Sequence, residues 1–432
     1  PTLQTMEAKK LLQEKRTIVL KGNPGEGKTS TAFCLIDTDD YKNQRVVVKS
    51  TKDWKKVDTD WVKIVVLEDI FGQYDLDPVR LQEWIDSKYL QIIQSHVDVG
   101  KLQVIITIRE DIHLKAYSKL KSFRLFRNDL SLTLSSEKLK HSDKVNILNR
   151  VLERNNKVLN DNKKLQCIAN FSGLIGFPQC CSLFVVYEDL FDQGPKFFRS
   201  PRKFLADNIL NLNHISFLSL AFLFCNGEIE EEYLSHSQTK TKKYLTVLED
   251  LASYLNISFN KSTMTSLRES YEHYSGLYVH KVSSYKYHSG GNVKKSCIQF
   301  SHATIYEVVG QVLGDKCPEM VVKYGDAGYL YGRTYTAEAK DDACQNVFIP
   351  MSVYGLLVER MVNDVIDKQL IKRVVKHSAL RQCPFLKTLK DELQKTNRIR
   401  DFLMADMSYN HMDLSEGKCF TFLQYILQNE KD

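Results

Sequence analysis

The stretch GNPGEGKTS, residues 22–30, constrains the fold of this chain more than any other stretch. It fits the pattern G-x-x-x-x-G-K-[ST], with Gly22, Gly27, Lys28 and Thr29 at the fixed positions. Glycines let backbone N–H groups turn onto a phosphate, the lysine adds a positive charge, and Thr29 offers a hydroxyl to Mg²⁺. A β-rich run, TIVL, precedes the glycines and a helical pattern follows them, which is the context that this motif requires. The motif predicts a phosphate-binding loop between a strand and a helix.

Short apolar runs recur after this loop and predict a sheet. They are RVVVK (45–49), IVVL (64–67), VIITI (104–108) and a weaker run at 132–134. Helical patterns lie between them, the longest over 78–94. Apolar strands that alternate with helices are typical of a parallel sheet covered on both faces. We therefore expect an α/β fold whose first strand leads into the glycine loop.

Two acidic residues, Glu68 and Asp69, end the apolar strand IVVL. In phosphate-loop proteins, an acid at this place holds Mg²⁺, and a second acid can orient or deprotonate the attacking water. We expect Thr29 and Glu68 at the metal, and Asp69, Glu68 and Arg109 as the catalytic candidates; which acid of the pair holds the metal and which acts on the water stays open at this point. Because side chains alternate along a strand, only one acid of the pair points easily at the metal. The alternative is a solvated acidic strand end.

Thr107 and Arg109 end the strand VIITI, at the edge where ligands bind in such sheets. Arg109 is a candidate for sensing or neutralising a γ-phosphate. The alternative is a surface ion pair with Glu110 or Asp111.

Composition limits the class of protein. The chain has 432 residues, which predicts more than one domain. Hydrophobic residues make up 43% and charged residues 26%, a balance typical of globular proteins, and the net charge of +7 is a mild excess for this length. The ten cysteines form no CxxC pair, which favours reduced thiols inside the cell. The longest apolar run, residues 215–225, is too short to span a bilayer.

The second part of the chain is mostly helical in pattern. A helix is expected over SSEKLKHSDKVNILNRVLERNNKVL (135–159), with Ser135 or Ser136 as its N-cap, and three more helices between residues 204 and 255. A hairpin is expected where LYVHKVSSYKYH and KKSCIQFSH flank the turn SGGN. The helix ATIYEVVGQVLG follows it, and the remainder reads as helices with polar joints.

These elements, in this order, resemble the STAND class of signal-transduction NTPases, most closely the third group of novel STAND NTPases. The phosphate loop of that family reads much as LKGNPGEGKT does, and its magnesium strand is followed by an F-G pair, here Phe71 and Gly72. Its sensor strand ends in T-x-R, here Thr107 and Arg109. One position departs from the pattern, because the family usually has Asp where this chain has Glu68.

The resemblance also implies roles for residues beyond the sheet. The G-x-P motif of STAND proteins, whose proline packs near the adenine, is matched by GFP at residues 176–178, which places Pro178 at the base. A histidine that related proteins use against bound ADP is matched by His302. Without the resemblance, GFP would be a helix-breaking turn and His302 a structural histidine at a helix start. The implied nucleotide contacts are Gly22, Asn23, Pro24, Gly25, Glu26, Gly27, Lys28, Thr29, Ser30, Thr107, Pro178 and His302.

The resemblance implies four regions and a function. They are a phosphate-loop nucleotide-binding domain over 1–134, a helical domain over 135–200, a winged-helix domain over 201–320 and a C-terminal helical region over 321–432. The expected function is a cytoplasmic switch that binds ATP or ADP with Mg²⁺ and couples exchange or slow hydrolysis to domain opening. Homo-oligomers are expected on activation, with protein partners bound through regions outside this chain. Neither a membrane nor a nucleic acid is an expected partner.

Three other classes stay open at this point. A nucleotide kinase would need an arginine-rich lid, which the basic segment around 119–127 does not clearly provide. A nucleic-acid-associated ATPase would use the winged helix and the basic, tyrosine-containing hairpin on DNA, and salt-dependent binding to generic DNA would identify it. A scaffold would bind nucleotide without turning it over.

Overall fold

The computed structural model describes residues 2–74, 76–173, 175–234, 242–288, 291–336, 347–367, 370–375 and 377–405. The chain divides into two units, residues 1–208 and 209–432. The finer division into four regions stays a prediction.

The first unit is built on a parallel sheet of five strands. Across the sheet, the strand at residues 45–48 is followed by those at 64–68, 103–109, 17–22 and 131–133, so the strand that leads into the glycine loop lies between the strand that ends at Arg109 and the last strand. The α/β fold expected from the sequence is confirmed. The strands are β1 (Thr17–Gly22), β2 (Arg45–Val48), β3 (Ile64–Glu68), β4 (Gln103–Arg109) and β5 (Ser131–Thr133).

Helices surround this sheet and continue after it. Apolar side chains of the helices before and after β1, among them Leu12 and Leu35, pack with the strand residues Ile18 and Ile105 in a buried core. The helices are α1 (Leu3–Lys15), α2 (Lys28–Ile36), α3 (Thr51–Trp54), α4 (Pro78–Asp86), α5 (Tyr89–Asp98), α6 (Glu110–Leu120), α7 (His141–Arg154), α8 (Asp161–Ala169), α9 (Phe177–Val186), α10 (Glu188–Asp192), α11 (Lys196–Arg199) and α12 (Pro201–Leu210).

Two expectations about these helices are wrong. The pattern over 78–94 is not one helix, because Lys88 adopts a left-handed conformation with φ of 57° and separates α4 from α5. The helix after residue 135 begins only at His141, with Lys140 as its N-cap, so neither Ser135 nor Ser136 caps it. Helical periodicity continues through a break and does not detect it.

The second unit contains an antiparallel hairpin among helices. Its two strands pair from Val279 with Phe300 to His288 with Gly291, and a short strand at residues 229–230 adds to the edge of the second one. Turn residues 289–290 lie outside the described residues. The strands are β6 (Ile229–Glu230), β7 (Val279–His288), β8 (Gly291–Phe300), β9 (Thr334–Tyr335) and β10 (Val347–Phe348).

The helices of the second unit include the one expected after the hairpin. They are α13 (His214–Asn226), α14 (Lys242–Tyr254), α15 (Lys261–His273), α16 (Ala303–Lys316), α17 (Pro318–Tyr324), α18 (Ala327–Arg333), α19 (Tyr354–Ile366), α20 (Ile371–Val374), α21 (Cys383–Lys395) and α22 (Ile399–Leu403). The three helices expected between 204 and 255 are α12, α13 and α14.

In the described part of the chain, no single helix is both long and apolar enough to cross a membrane. By length and composition alone, one pair passes that test together, α12 with α13, which are bent by 118°. The residues of α13 from Ser216 to Phe224 are buried in the fold. The eight cysteines within the described ranges are free thiols.

Candidate nucleotide-binding site

The glycine loop joins β1 to α2 in the conformation that the motif requires. Gly22, Gly25 and Gly27 have φ angles of 154°, 85° and 85°, values that side chains disfavour. A Cβ added at Gly22 would lie 2.6 Å from the carbonyl oxygen of Leu134. Gly27 is the N-cap of α2 and has no side chain with which to cap the helix. The loop therefore leads directly into an uncapped helix start, which favours an anion.

Lys28 lies under the loop. Its Nζ donates to the carbonyl oxygens of Gly22 at 2.9 Å and Asn23 at 3.0 Å, and only 8% of the residue is exposed. Burial lowers the pKa of Lys28 to about 8, while the charge of Asp69 acts in the opposite direction. A buried ammonium group held only by neutral carbonyls would gain most from an anionic ligand.

The two acids at the end of β3 have different surroundings. Glu68 forms an ion pair with Lys49, with 3.0 Å between Oε2 and Nζ. Asp69 has φ of 44°, and its backbone N–H lies 3.2 Å from the carbonyl oxygen of Thr107 and 3.3 Å from its Oγ1. Oδ1 of Asp69 is buried without a hydrogen-bond partner in the described structure. The left-handed turn thus directs Asp69 inward, and Glu68 contacts a neighbouring strand end.

The pKa of Asp69 is raised to about 6. Burial is the main cause, the adjacent charge of Glu68 adds to it, and Lys28 and Arg109 oppose it. A carboxyl group poised near neutral pH suits proton transfer. Its surroundings therefore agree with the water-orienting role predicted for Asp69, which stays a prediction.

Arg109 is buried at the end of β4, with 4% of the residue exposed. Its Nε and Nη2 donate to the two carboxylate oxygens of Asp111 at 3.0 and 3.1 Å. The ion pair that we considered as an alternative is therefore present, although Arg109 itself is buried. In the sheet register Arg109 lies beside Gly22, so this guanidinium group belongs to the strand next to the loop.

The GFP motif contacts the glycine loop through the backbone. The N–H of Gly176 points at the carbonyl oxygen of Pro24 at 3.4 Å, and that of Gln179 at the carbonyl oxygen of Gly25 at 3.3 Å. A Cβ added at Gly176 would lie 2.3 Å from the carbonyl carbon and oxygen of Gly25. The N-terminal end of α9 therefore packs directly on the phosphate loop, and only glycine permits the approach.

Pro178 follows in the first turn of α9. Its Cγ lies 3.6 Å from the position of a Cβ built on Gly27. The proline that the resemblance assigns to the adenine therefore lies beside the loop. The base contact itself stays a prediction.

Ser136 joins the loop to α9, a role that the sequence did not reveal. Its hydroxyl donates to Oε2 of Glu26 and accepts from the N–H of Phe177 at 2.6 Å, and the residue is 1% exposed. Burial raises the pKa of Glu26, and the hydrogen bond from Ser136 opposes this rise. Two adjacent serines looked like candidates for an N-cap, and no sequence signal distinguished a buried link from a cap.

The remaining predicted contacts divide between the two units. Asn23 and Ser30 are exposed, and Thr29 and Pro24 are partly exposed. His302 lies in the second unit as the N-cap of α16, where its Nδ1 accepts from the N–H of Thr304 at 3.1 Å. Its nucleotide contact stays a prediction.

Comparisons with known proteins agree with the geometry of the first unit. Residues 1–154 match the family model of Novel STAND NTPase 3. This match confirms the resemblance to that family over the sheet, the loop and helix α7. A comparison with curated proteins gave no match.

Solved structures give weaker similarities. Cdc6p of Pyrobaculum aerophilum is 12% identical, with a TM-score of 0.31 over 72% of this chain and 93% of that one. A Walker-type ATPase of Pyrococcus abyssi is 10% identical, with a TM-score of 0.32 over 70% and 94%. AMPPCP-bound DnaA of Aquifex aeolicus is 13% identical, with a TM-score of 0.29 over 62% and 86%. Similarities of this size support no conclusion about function.

Proposed function

We propose that this chain is a nucleotide-dependent molecular switch of the STAND type, which binds ATP or ADP with Mg²⁺. The observation that carries the proposal is the backbone contact between Gly25 and Gly176, which places α9 directly on the phosphate loop. The N–H groups of Gly176 and Gln179 point at carbonyl oxygens of this loop, so a nucleotide that shifts the loop would act on the first turn of α9. Occupation of the loop therefore bears directly on the position of α9.

The loop residues would hold the phosphates. Backbone N–H groups at the start of α2 would face the anion, and Lys28 would exchange its two carbonyl partners for phosphate oxygens. Arg109 would lie near the γ-phosphate if it released Asp111. Pro178 would pack against the base, as the resemblance implies. The loop alone does not distinguish ATP from GTP, and the preference for adenine rests on the resemblance.

The residues present fit a magnesium ion. In the described structure, Oδ1 of Asp69 is a buried carboxylate oxygen without a hydrogen-bond partner, free to accept from a water beside the ion, and Glu68 and Thr29 lie at the end of β3 and in the first turn of α2. Bound with a nucleotide, Mg²⁺ would offset negative charge on the phosphates. Thr29 and Glu68 would hold it. Asp69 would orient and deprotonate a water, which makes slow hydrolysis the step that resets the switch.

A switch needs two arrangements that bind the nucleotide unequally. Two hydrogen bonds of Ser136, one to Glu26 and one from the N–H of Phe177, supply a physical link. Through them, a shift of the Glu26 side chain in the loop would move the first residue of α9. The proposal has further parts: a contact of His302 with bound ADP, a winged-helix domain over 201–320 and assembly into homo-oligomers. It also includes the helical regions over 135–200 and 321–432, a cytoplasmic location, and a role in immune or cell-death signalling. These parts rest on the resemblance.

The test is the nucleotide content of the purified protein. After denaturation, the wild type is expected to release ADP, and Lys28→Ala is expected to release little. Loss of a charged hydrogen-bond donor lowers affinity by about 10- to 100-fold. Lys42→Ala, which removes an exposed lysine beyond α2, is the control and should release as much as the wild type. Rapid ATP turnover without retained nucleotide would count against a switch, and retention by Lys28→Ala would show that the site is wrong.

A further inference from the structure

We propose that Lys49 is a positioning residue of the metal site, which holds Glu68 while Mg²⁺ is absent and is displaced when Mg²⁺ arrives. The inference rests on the proposed function, since it concerns the same site. Neither the phosphate-loop motif nor the resemblance assigned a role to Lys49. The sequence signal is its place as the last residue of RVVVK, at the same sheet edge as the acidic pair.

The sheet register brings Lys49 and Glu68 together. Strands β2 and β3 are parallel neighbours, and Val48 is aligned with Leu67, so the next residue of each strand follows at the same edge. Nζ of Lys49 lies 3.0 Å from Oε2 of Glu68. The side chain of Glu68 is only 12% exposed, whereas that of Lys49 is 62% exposed. The ammonium group thus covers the carboxylate from the solvent side.

The backbone of Lys49 is fixed independently of its side chain. Its N–H donates to Oδ2 of Asp53 at 3.2 Å, and the hydroxyl of Ser50 donates to the same oxygen at 2.8 Å. The N–H of Asp53 in turn donates to Oγ of Ser50 at 3.2 Å. Thr51 and Trp54 anchor the short helix α3 by burial. The side chain of Lys49 can therefore swing away from Glu68 without moving the strand.

Electrostatics explain both why Lys49 pairs with Glu68 and why this ion pair is weak. Glu68 and Asp69 are adjacent residues, and two carboxylates at this spacing repel each other. Lys49 supplies the compensating charge when no metal is present. A carboxylate oxygen bonded to an ammonium group cannot at the same time take its place around Mg²⁺. Because the ammonium group of this ion pair is largely exposed and screened by solvent, the pair is weak, and a divalent cation can displace it.

The predicted consequence is a competition between Lys49 and Mg²⁺ for one carboxylate. Removing the ammonium group should let Mg²⁺ promote ADP binding at lower concentration. The Mg²⁺ concentration that gives half of the full effect should fall about two- to fivefold in Lys49→Ala. Affinity for ADP in EDTA should not change, because the competition exists only when metal is present. Lys49→Arg keeps the charge and should restore the wild-type requirement for Mg²⁺.

The experiment is a Mg²⁺ titration of fluorescent ADP binding to the full chain. Wild type, Lys49→Ala, Lys49→Arg, Lys52→Ala and Lys28→Ala are compared, each first in EDTA and then with increasing Mg²⁺, and a fluorescent ATP analogue is titrated in parallel. Lys52 is exposed on α3, three residues after Lys49, so its loss controls for the removal of one surface charge. The proposal predicts a lower Mg²⁺ requirement for Lys49→Ala alone.

Three results would overturn it. An unchanged Mg²⁺ requirement in Lys49→Ala would show that the ion pair does not compete with the metal. Weaker binding of an ATP analogue, with ADP binding unchanged, would make Lys49 a direct phosphate contact instead. If the wild type binds no fluorescent ADP, or if Lys28→Ala binds it equally well, the proposed function itself fails and this inference with it. The first two results leave the proposed function standing.

Discussion

Helix α2 of the first unit and helix α16 of the second unit begin in opposite ways. Helix α2 follows Gly27, which has φ of 85° and no side chain to cap the helix. Helix α16 follows His302, whose own ring accepts from the N–H of Thr304. An uncapped helix start with a glycine in the left-handed region is prepared for an external anion. A helix start capped by its own residue needs no ligand to be stable.

The same contrast extends to the charges around each helix. Near α2, the described structure gives Lys28 only carbonyl hydrogen-bond partners, and it gives Oδ1 of Asp69 none. Burial lowers the pKa of Lys28 and raises that of Asp69. Charges that lack strong partners cost stability and are typical of functional sites. At α16, the resolved hydrogen bond of His302 is one that a purely structural residue would make. The contrast predicts large effects on nucleotide binding in the first region and an effect on stability in the second.

The largest expected effect comes from Gly176→Ala. A Cβ 2.3 Å from the backbone of Gly25 requires the loop and α9 to separate, which we expect to cost about 1–3 kcal/mol of unfolding free energy. Nucleotide affinity should fall as well. Urea denaturation and fluorescent ADP binding measure the two effects. Gly355→Ala is the control, because a Cβ there meets nothing within 4 Å, and unaltered stability in Gly176→Ala would show that the contact is not tight.

The next effect concerns the pH dependence of stability. The pKa of Asp69 rises from 3.8 to about 6 on folding, so between these values the folded state binds more protons than the unfolded state. The free energy of unfolding therefore falls as the pH rises through this window, by at most about 2–3 kcal/mol. Asp69→Asn should remove this fall and be more stable than the wild type at pH 7.5 without nucleotide.

Urea denaturation in EDTA at pH 4.5 and 7.5 measures this difference. Asp40→Asn, at an exposed carboxylate, serves as the control. If wild type and Asp69→Asn show the same pH dependence, Asp69 is not desolvated in the way described.

The smallest expected effect comes from His302→Ala. Loss of an N-cap costs about 1 kcal/mol of stability, measured by urea denaturation. Fluorescent ADP binding separates the structural role from the role implied by the resemblance. Lower stability with unchanged ADP affinity would leave His302 as a cap alone, whereas a fall in ADP affinity would support the nucleotide contact.

The strands and the loop could be predicted because local sequence determines them. Apolar β-rich runs specify the strands, and the glycine loop carries its own geometry in the positions of Gly22, Gly25 and Gly27. The break at Lys88 was missed because a left-handed lysine leaves no mark in the periodicity of 78–94.

Contacts between distant segments could not be read from the sequence. Ser136 is 110 residues from Glu26 and 41 from Phe177, and Lys49 reaches Glu68 only because β2 and β3 are neighbours. The resemblance of the GFP motif predicted that Pro178 lies near the nucleotide, but not that Gly176 contacts Gly25. Side-chain partners of this kind depend on how the whole unit packs, and local sequence patterns contain no information about that packing.

In the proposed switch, helix α9 responds to occupation of the phosphate loop. Amide hydrogen exchange over Phe177–Val186, with ADP, with an ATP analogue and with no nucleotide, tests it most directly. Ser136→Ala removes the link to Glu26, and Ser135→Ala is the matched control one residue away. We predict that exchange in α9 differs between the three conditions in the wild type and in Ser135→Ala, and that the difference shrinks in Ser136→Ala. Nucleotide binding that leaves exchange in α9 unchanged would contradict the account.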